Sequence, residues 1–325
     1  MKKVCVKVMV CLIIVAICGG RGLAKEPLQP MTIRLNWVTN VQFAGVLLAK
    51  ERGWYEEQGI DLTIKGWEQG ISSIDEVLAG KAQVGVIEGA DIIRFRAKGK
   101  KIRAIATQFQ KSPFCLMSKK NRGINTPDQL AGKKIGITAP SGELMVKIVL
   151  ASRGLNFNDI TPVQMGWDIG LFIDDSVDTM QAYMNNEPFL LKEKGYDVNY
   201  LPAFKYGYDF YSGIFFATDK MLMEHPDLIQ KFLDVSRRGW QESFKELPGT
   251  VQLIVEKYYP EGSVRQQTES LKVFKYVAAM GIGKSLIGFM EERTWRKGID
   301  TLHKFGQIEK KIPATDVFTL EFLKK

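Results

Sequence analysis

Short apolar runs rich in β-branched residues recur along this chain at 60–64, 84–87, 102–107, 114–118 and 134–138. Between them, at 71–79, 91–97, 127–131 and 144–153, apolar positions fall three and four apart, as one face of a helix requires. Strands alternating with helices predict an α/β fold with largely parallel sheets. A second series starts at 131–140 and continues through 161–165, 177–183 and 198–201, so two sheets are predicted rather than one. After Tyr211 comes a β-rich run at 213–218, and then helices at 226–245, 251–258, 264–280 and 292–305. That helical remainder needs a sheet to pack against. The economical path leaves the first sheet through 114–118, builds the second, and returns through 213–218. Lobe 1 is then 31–116 plus 215–325 and lobe 2 is 117–214, with hinges near 116–118 and 212–214.

The segment 33–64 reads as one βα unit: a strand, a loop with Trp37, Asn40, Gln42 and Phe43, a helix ending near Gly53, and a strand after Gly59. Ligands of open α/β sheets bind beyond the carboxyl ends of the strands, so polar and aromatic residues in that loop point to a small-molecule cleft.

Residues 1–24 hold Lys2, Lys3 and Lys7, an apolar run from 8 to 18, and then Gly22, Leu23 and Ala24. This is the pattern of a secretory signal, with cleavage expected after Ala24 and an alternative lipid attachment at Cys18. Three of the four cysteines lie in the leader, which leaves Cys115 alone and makes an internal disulfide impossible. Removing the leader lowers the formal charge from +9 to +5, with no long basic run. Clustered basic residues with interleaved aromatics are missing, so nucleic acid is not expected as a partner.

Several segments in order, WVTNVQFAGVLLAKERGWYEEQGIDL, LAGKAQVGVIEGA, TPDQLAGKKIGI, YMNNEP and YGYDFYSGIFFATDK, resemble the substrate-binding proteins of ABC importers. The likeness is to the branch that includes thiamine-pyrimidine-precursor, nitrate and sulfonate binders, and it runs through the first two thirds of the chain. It implies a two-lobed periplasmic binding protein (type II, Venus-flytrap), a monomer holding its ligand in the interlobe cleft. It also implies a membrane permease as partner, a periplasmic or other extracytoplasmic location, and no cofactor.

On this reading the ligand-binding residues are Trp37, Asn40, Gln42 and Phe43 from the first loop, and Trp67, Glu88 and Gln108 from the next three. Ser141 and Gly142 follow at a helix start, then Asn186 and Glu187, and then Tyr208 and Asp209. The cleft loops carry seven carboxylates, Glu68, Glu88, Asp91, Glu143, Asp168, Glu187 and Asp209, against one base, Lys111. An anion would meet repulsion there. Aromatic faces beside carboxylates suit a neutral or cationic nitrogen-containing ring, with Glu187 placed to accept from an amino group and a ring nitrogen.

Only His225 and His303 occur, both in the helical tail, and no nucleophile elbow, HExxH, phosphate loop or CxxC pattern is present. A eukaryotic relative of this superfamily makes the thiamine pyrimidine from pyridoxal phosphate and its own histidine, in the loop after the first strand. This chain has Val41 and Gln42 in that loop and no cysteine-rich tract, so an enzyme is not expected. A ligand-sensing module serving a separate membrane partner is the remaining alternative.

Overall fold

The computed structural model describes residues 27–138, 140–166 and 169–323. Residues 1–26, with the expected signal and Cys18, and Trp167 with Asp168, lie outside the described residues.

The strands are β1 (Gln29–Arg34), β2 (Ile60–Lys65), β3 (Val84–Ile87), β4 (Ile102–Phe109), β5 (Phe114–Lys119), β6 (Lys134–Ile137), β7 (Thr161–Gln164), β8 (Thr179–Tyr183), β9 (Val198–Pro202) and β10 (Ser212–Thr218). They form two sheets, ordered β2-β1-β3-β10-β4 and β7-β6-β8-β5-β9. Each sheet follows one plan, with parallel strands interrupted in fourth place by an antiparallel strand, β10 in the first and β5 in the second. β3 reads VGVI and is buried on both faces, as a central parallel strand must be. The helix Pro226–Lys245 has the predicted bounds: Pro226 opens it, and Leu228, Ile229, Phe232, Leu233 and Trp240 supply a buried stripe.

The strand memberships move the crossings. Phe114 pairs with Tyr183 and Cys115 with Ala182 and Pro202, so β5 lies wholly in the second sheet. Ser212 already pairs with Phe109, so β10 lies wholly in the first. The chain therefore passes between sheets at 110–113 and 203–211, ahead of the hinge segments expected from the sequence. Periodicity marks a run as a strand, but which sheet owns it depends on the edge with which it pairs.

Both crossings are tied together. The Ser112 N–H donates to the Phe210 carbonyl at 3.0 Å, and the Lys111 ammonium pairs with the Asp209 carboxylate. Both side chains are about a quarter exposed, at 23% and 28%. Lys111→Met is expected to cost about 1 kcal/mol in urea unfolding at low salt, shrinking as salt rises.

Successive strand residues face opposite ways, and the core divides accordingly. Cys115 and Met117 join one buried cluster with Met31 and Ile33, while Phe114 and Leu116 join another with Ile102 and Ala104. Each cluster draws on both sheets. Among the described residues no helix is long and apolar enough to cross a membrane.

Candidate functional site

The carboxyl ends of β1, β3 and β4 and the amino end of β10 meet at one edge of the first sheet. There Glu88, which follows β3, accepts hydrogen bonds from Ser212, the Gly213 N–H and Asn36. Burial pushes its carboxyl up to about 7, those three bonds oppose the rise, and nearby Asp91 adds to it. Asn36, Trp67, Glu88 and Asp91 line a cavity of about 310 Å³. Trp67 forms its aromatic lip and meets Trp37, with ring centroids 6.0 Å apart and planes inclined at 41°. Trp67 is 45% exposed.

An aromatic cluster is carried by the second sheet and the crossing that follows β9. Phe114 lies edge-on to Tyr183 at 4.4 Å and stacks on Tyr208 at 5.6 Å. Burial pushes both tyrosines well above the usual phenol range, and the Glu88 and Asp91 carboxylates of the first sheet push them further. The two tyrosines therefore lie within electrostatic reach of the two acids.

Several amides at this edge are incompletely paired. Asn36 gives its N–H to Glu88, which leaves its Oδ1 buried without a partner. Asn185 donates to the Ser270 hydroxyl at 3.4 Å, and its Oδ1 is likewise unpartnered. Gln108 has neither carboxamide atom engaged. Native proteins leave few buried polar atoms in this state, and those at a cleft are candidates for ligand contact.

The two-sheet plan recurs in solved structures. The aliphatic sulphonate binding protein SsuA from Escherichia coli superposes with a TM-score of 0.69 at 14% identity, over 91% of this chain and 99% of that one. This is the two-lobed fold of periplasmic binding proteins. The model of the family described as NMT1/THI5 like matches residues 40–246, more than half of the chain. The chain belongs to this family. Among its relatives is riboflavin-binding protein RibY of Chloroflexus aurantiacus, 23% identical over 312 residues, covering 92% of this chain and 88% of RibY. Another is the formylaminopyrimidine-binding protein of Halalkalibacterium halodurans, 20% identical over 304 residues, covering 90% and 91%. A 4-amino-5-hydroxymethyl-2-methylpyrimidine phosphate synthase from Legionella pneumophila is 24% identical, but over only 64% of this chain and 67% of that one. Binding proteins and enzymes thus both stand among the relatives.

In this NMT1/THI5-like protein the acidity of the loops is largely compensated. Glu68 pairs with Arg34 at 2.8 Å, Glu143 with Lys147 at 2.5 Å, Asp91 with Arg94 and Asp209 with Lys111. Three of those four bases lie outside the loops that were counted, so the excess of seven acids over one base does not describe the folded cleft. Asp168 lies outside the described residues.

Glu187 is 9% exposed and turned inward. Its carboxylate accepts the Tyr183 N–H at 2.7 Å and the Asn186 amide at 3.3 Å, and burial raises its ionisation against those bonds. It holds the turn that follows Tyr183, and it is not among the residues that line the cavity beside Glu88. Asn186 is also engaged structurally, accepting from Gln266 at 2.9 Å.

Other expected contacts prove to be scaffold. Phe43 is fully buried in the core, and Asn40 caps the following turn by accepting the Gln42 N–H at 2.9 Å. Gln42 is half-buried on that turn. Ser141 is half-buried in the first turn of the helix Pro140–Ala151, whose Gly142 is a point of close approach: a Cβ there would lie 1.7 Å from Gln181 Oε1. That oxygen is already held by the Thr138 N–H and hydroxyl, at 3.1 and 2.9 Å. Tyr208 is 3% exposed and serves as the floor under Tyr183 and Phe114.

Asn36 and Tyr183 join the site although the sequence did not single them out. Asn36 and Tyr183 adjoin residues that were chosen, and a signal was present in their being the last polar or aromatic positions after predicted strands. Ser212, expected at a hinge, takes its role in holding Glu88 from the antiparallel entry of β10.

Proposed function

We propose that this chain is an exported solute-binding protein of an ABC importer. It captures a small, uncharged, nitrogen-containing aromatic ligand, of the thiamine-pyrimidine-precursor or flavin class, between its two lobes and passes it to a membrane permease. The observation that carries this reading is the exposed Trp67 face beside the raised Glu88 carboxyl in one cavity, with Tyr183 within electrostatic reach of that carboxyl. A flat ring fits against such an aromatic face while its edge meets the polar group, and a stacked pair of this kind is worth about 1 kcal/mol beyond burial. The two full-length relatives named for riboflavin and formylaminopyrimidine bind rings of that description by their names. Pairing of the cleft acids favours a neutral ligand over a cation.

Among the described residues, no histidine and no accessible thiol supports the synthase alternative at this site. His225 and His303 are exposed on the helical tail. Cys115 is fully buried, and burial pushes its thiol well above the usual range, which suits packing rather than nucleophilic chemistry.

The test is thermal melting of natively purified mature protein with riboflavin, formylaminopyrimidine, thiamine, nitrate and taurine. A ligand at about 100 times its dissociation constant adds about 2.7 kcal/mol, a readily measured rise. A rise with one of the ring compounds is expected, and a rise only with nitrate or taurine would remove the ligand class while keeping the importer. Tyr183→Leu is expected to weaken binding of the responding ring about tenfold by calorimetry.

A further inference from the structure

We infer that Gln108 is a specificity-determining ligand contact, and that the ligand offers it a hydrogen-bond acceptor and a donor side by side, as a lactam, an imide or an aminopyrimidine edge does. The inference deepens the solute-binding reading and rests on it.

Gln108 is 2% exposed on β4, one residue before the strand ends, and its Oε1 and Nε2 are both buried without a partner. Its polar neighbours are satisfied. The Thr107 hydroxyl donates to the Phe109 carbonyl at 2.8 Å, and the Gln110 amide donates to the Phe289 carbonyl at 2.8 Å. Among the described residues no other buried side chain has two orphaned polar atoms. A glutamine kept only for packing would be expected to find a backbone partner, as Gln110 does.

This carboxamide lies beside Gly213. A Cβ on Gly213 would lie 2.8 Å from Gln108 Nε2 and 3.1 Å from its Cβ, and at φ +62 a side chain there would be strained by the backbone conformation. The Gly213 N–H and Ser212 both bond to Glu88, to which Asn36 also donates. Gln108 therefore sits against the polar group that forms the lobe 1 wall of the cleft.

A primary amide presents one acceptor and one donor in a single plane, and it carries no charge. It is matched by a cis-amide edge or by a ring nitrogen beside an amino group. Nitrate or a sulfonate offers acceptors only and would leave Oε1 facing another oxygen. Gln108 thus selects both the geometry and the neutrality of the ligand, which an aromatic face cannot do.

The test compares wild type, Gln108→Met and Gln108→Glu by calorimetry with riboflavin and formylaminopyrimidine as probes, alongside melting of the empty proteins. Whichever probe binds wild type is expected to bind Gln108→Met about 10- to 100-fold more weakly, and Gln108→Glu at least as weakly, because a second acceptor replaces the donor. Empty Gln108→Met is expected to melt at or above the wild-type temperature, since it removes an orphaned buried amide. Unchanged affinity in Gln108→Met would overturn the inference, and so would a fall of several degrees in its melting, which marks a scaffold role. Wild type that binds neither probe would instead overturn the ligand class itself, and this role with it.

Discussion

Replacing Arg34 with methionine is expected to destabilise the protein by about 3 kcal/mol and to loosen the aromatic lip of the cleft. Arg34 is 3% exposed on β1, and its guanidinium donates to Glu76 at 2.6 Å, Glu68 at 2.8 Å and the Gly66 carbonyl at 2.6 Å. Glu76 is the consequential partner, because its side chain is 14% exposed whereas that of Glu68 is 64% exposed. Methionine would fill much of the space but leave Glu76 ionised with little water, and uncompensated buried charge dominates the cost of breaking such pairs. The same guanidinium fixes Gly66 and Glu68 on either side of Trp67, so its loss frees the residue that meets Trp37. The hydrogen bond to Arg34 holds Glu76 below the usual carboxylate range, so its stabilisation is present above the unfolded value and disappears as pH falls through the folded one. Urea unfolding of wild type, Arg34→Met, Glu76→Gln and the double variant reads the pair directly. Glu76→Gln is expected to recover part of the loss in the Arg34→Met background, and strict additivity would dissociate the two residues.

Glu88→Gln is expected to remove a fall in stability of about 3 kcal/mol that wild type shows as pH rises from about 4.5 to about 7. The folded carboxyl is raised from 4.5 to about 7, chiefly by burial. Between those values the folded protein holds a proton that the unfolded chain has released, so stability is fullest below 4.5 and is lost as pH climbs through 7. This sign is opposite to that of Glu76. Melting of the empty proteins at pH 5, 6, 7 and 8 should show Glu88→Gln gaining on wild type toward the alkaline end. Parallel curves would mean that Glu88 is hydrated and ordinary. A carboxyl poised this way also gives the site a reason to respond to its ligand, because an N–H donor placed against it would favour the ionised form.

Much of this molecule could be read along its length. The helix at 226–245 and the strand at 84–87 were predicted to their observed bounds, since a leading proline, a regular apolar stripe and a wholly apolar β-branched run are local signals. Trp37, Trp67, Glu88 and Gln108 were placed in the cleft from their position after strands, and they do lie at the ends of β1, β2, β3 and β4. Glu187 was expected as a recognition carboxylate from the resemblance that the tract YMNNEP carries. The structure starts a helix at Glu187 and turns the side chain back onto Tyr183.

The order of elements, the two sheets and the edge at which a ligand would bind were determined by the chain alone, because each follows from periodicity and from the polarity of parallel strands. The charge of the cleft and the identity of its unpaired groups were decided only by tertiary structure. Arg34 sits in the middle of a strand run and Arg94 and Lys147 inside helices, yet they neutralise Glu68, Asp91 and Glu143, since Coulomb attraction and hydrogen bonding depend on distance through space. Gln108 stands between Thr107 and Phe109 like any strand residue, and the antiparallel return of β10 with Gly213 opposite is what leaves its carboxamide without a partner.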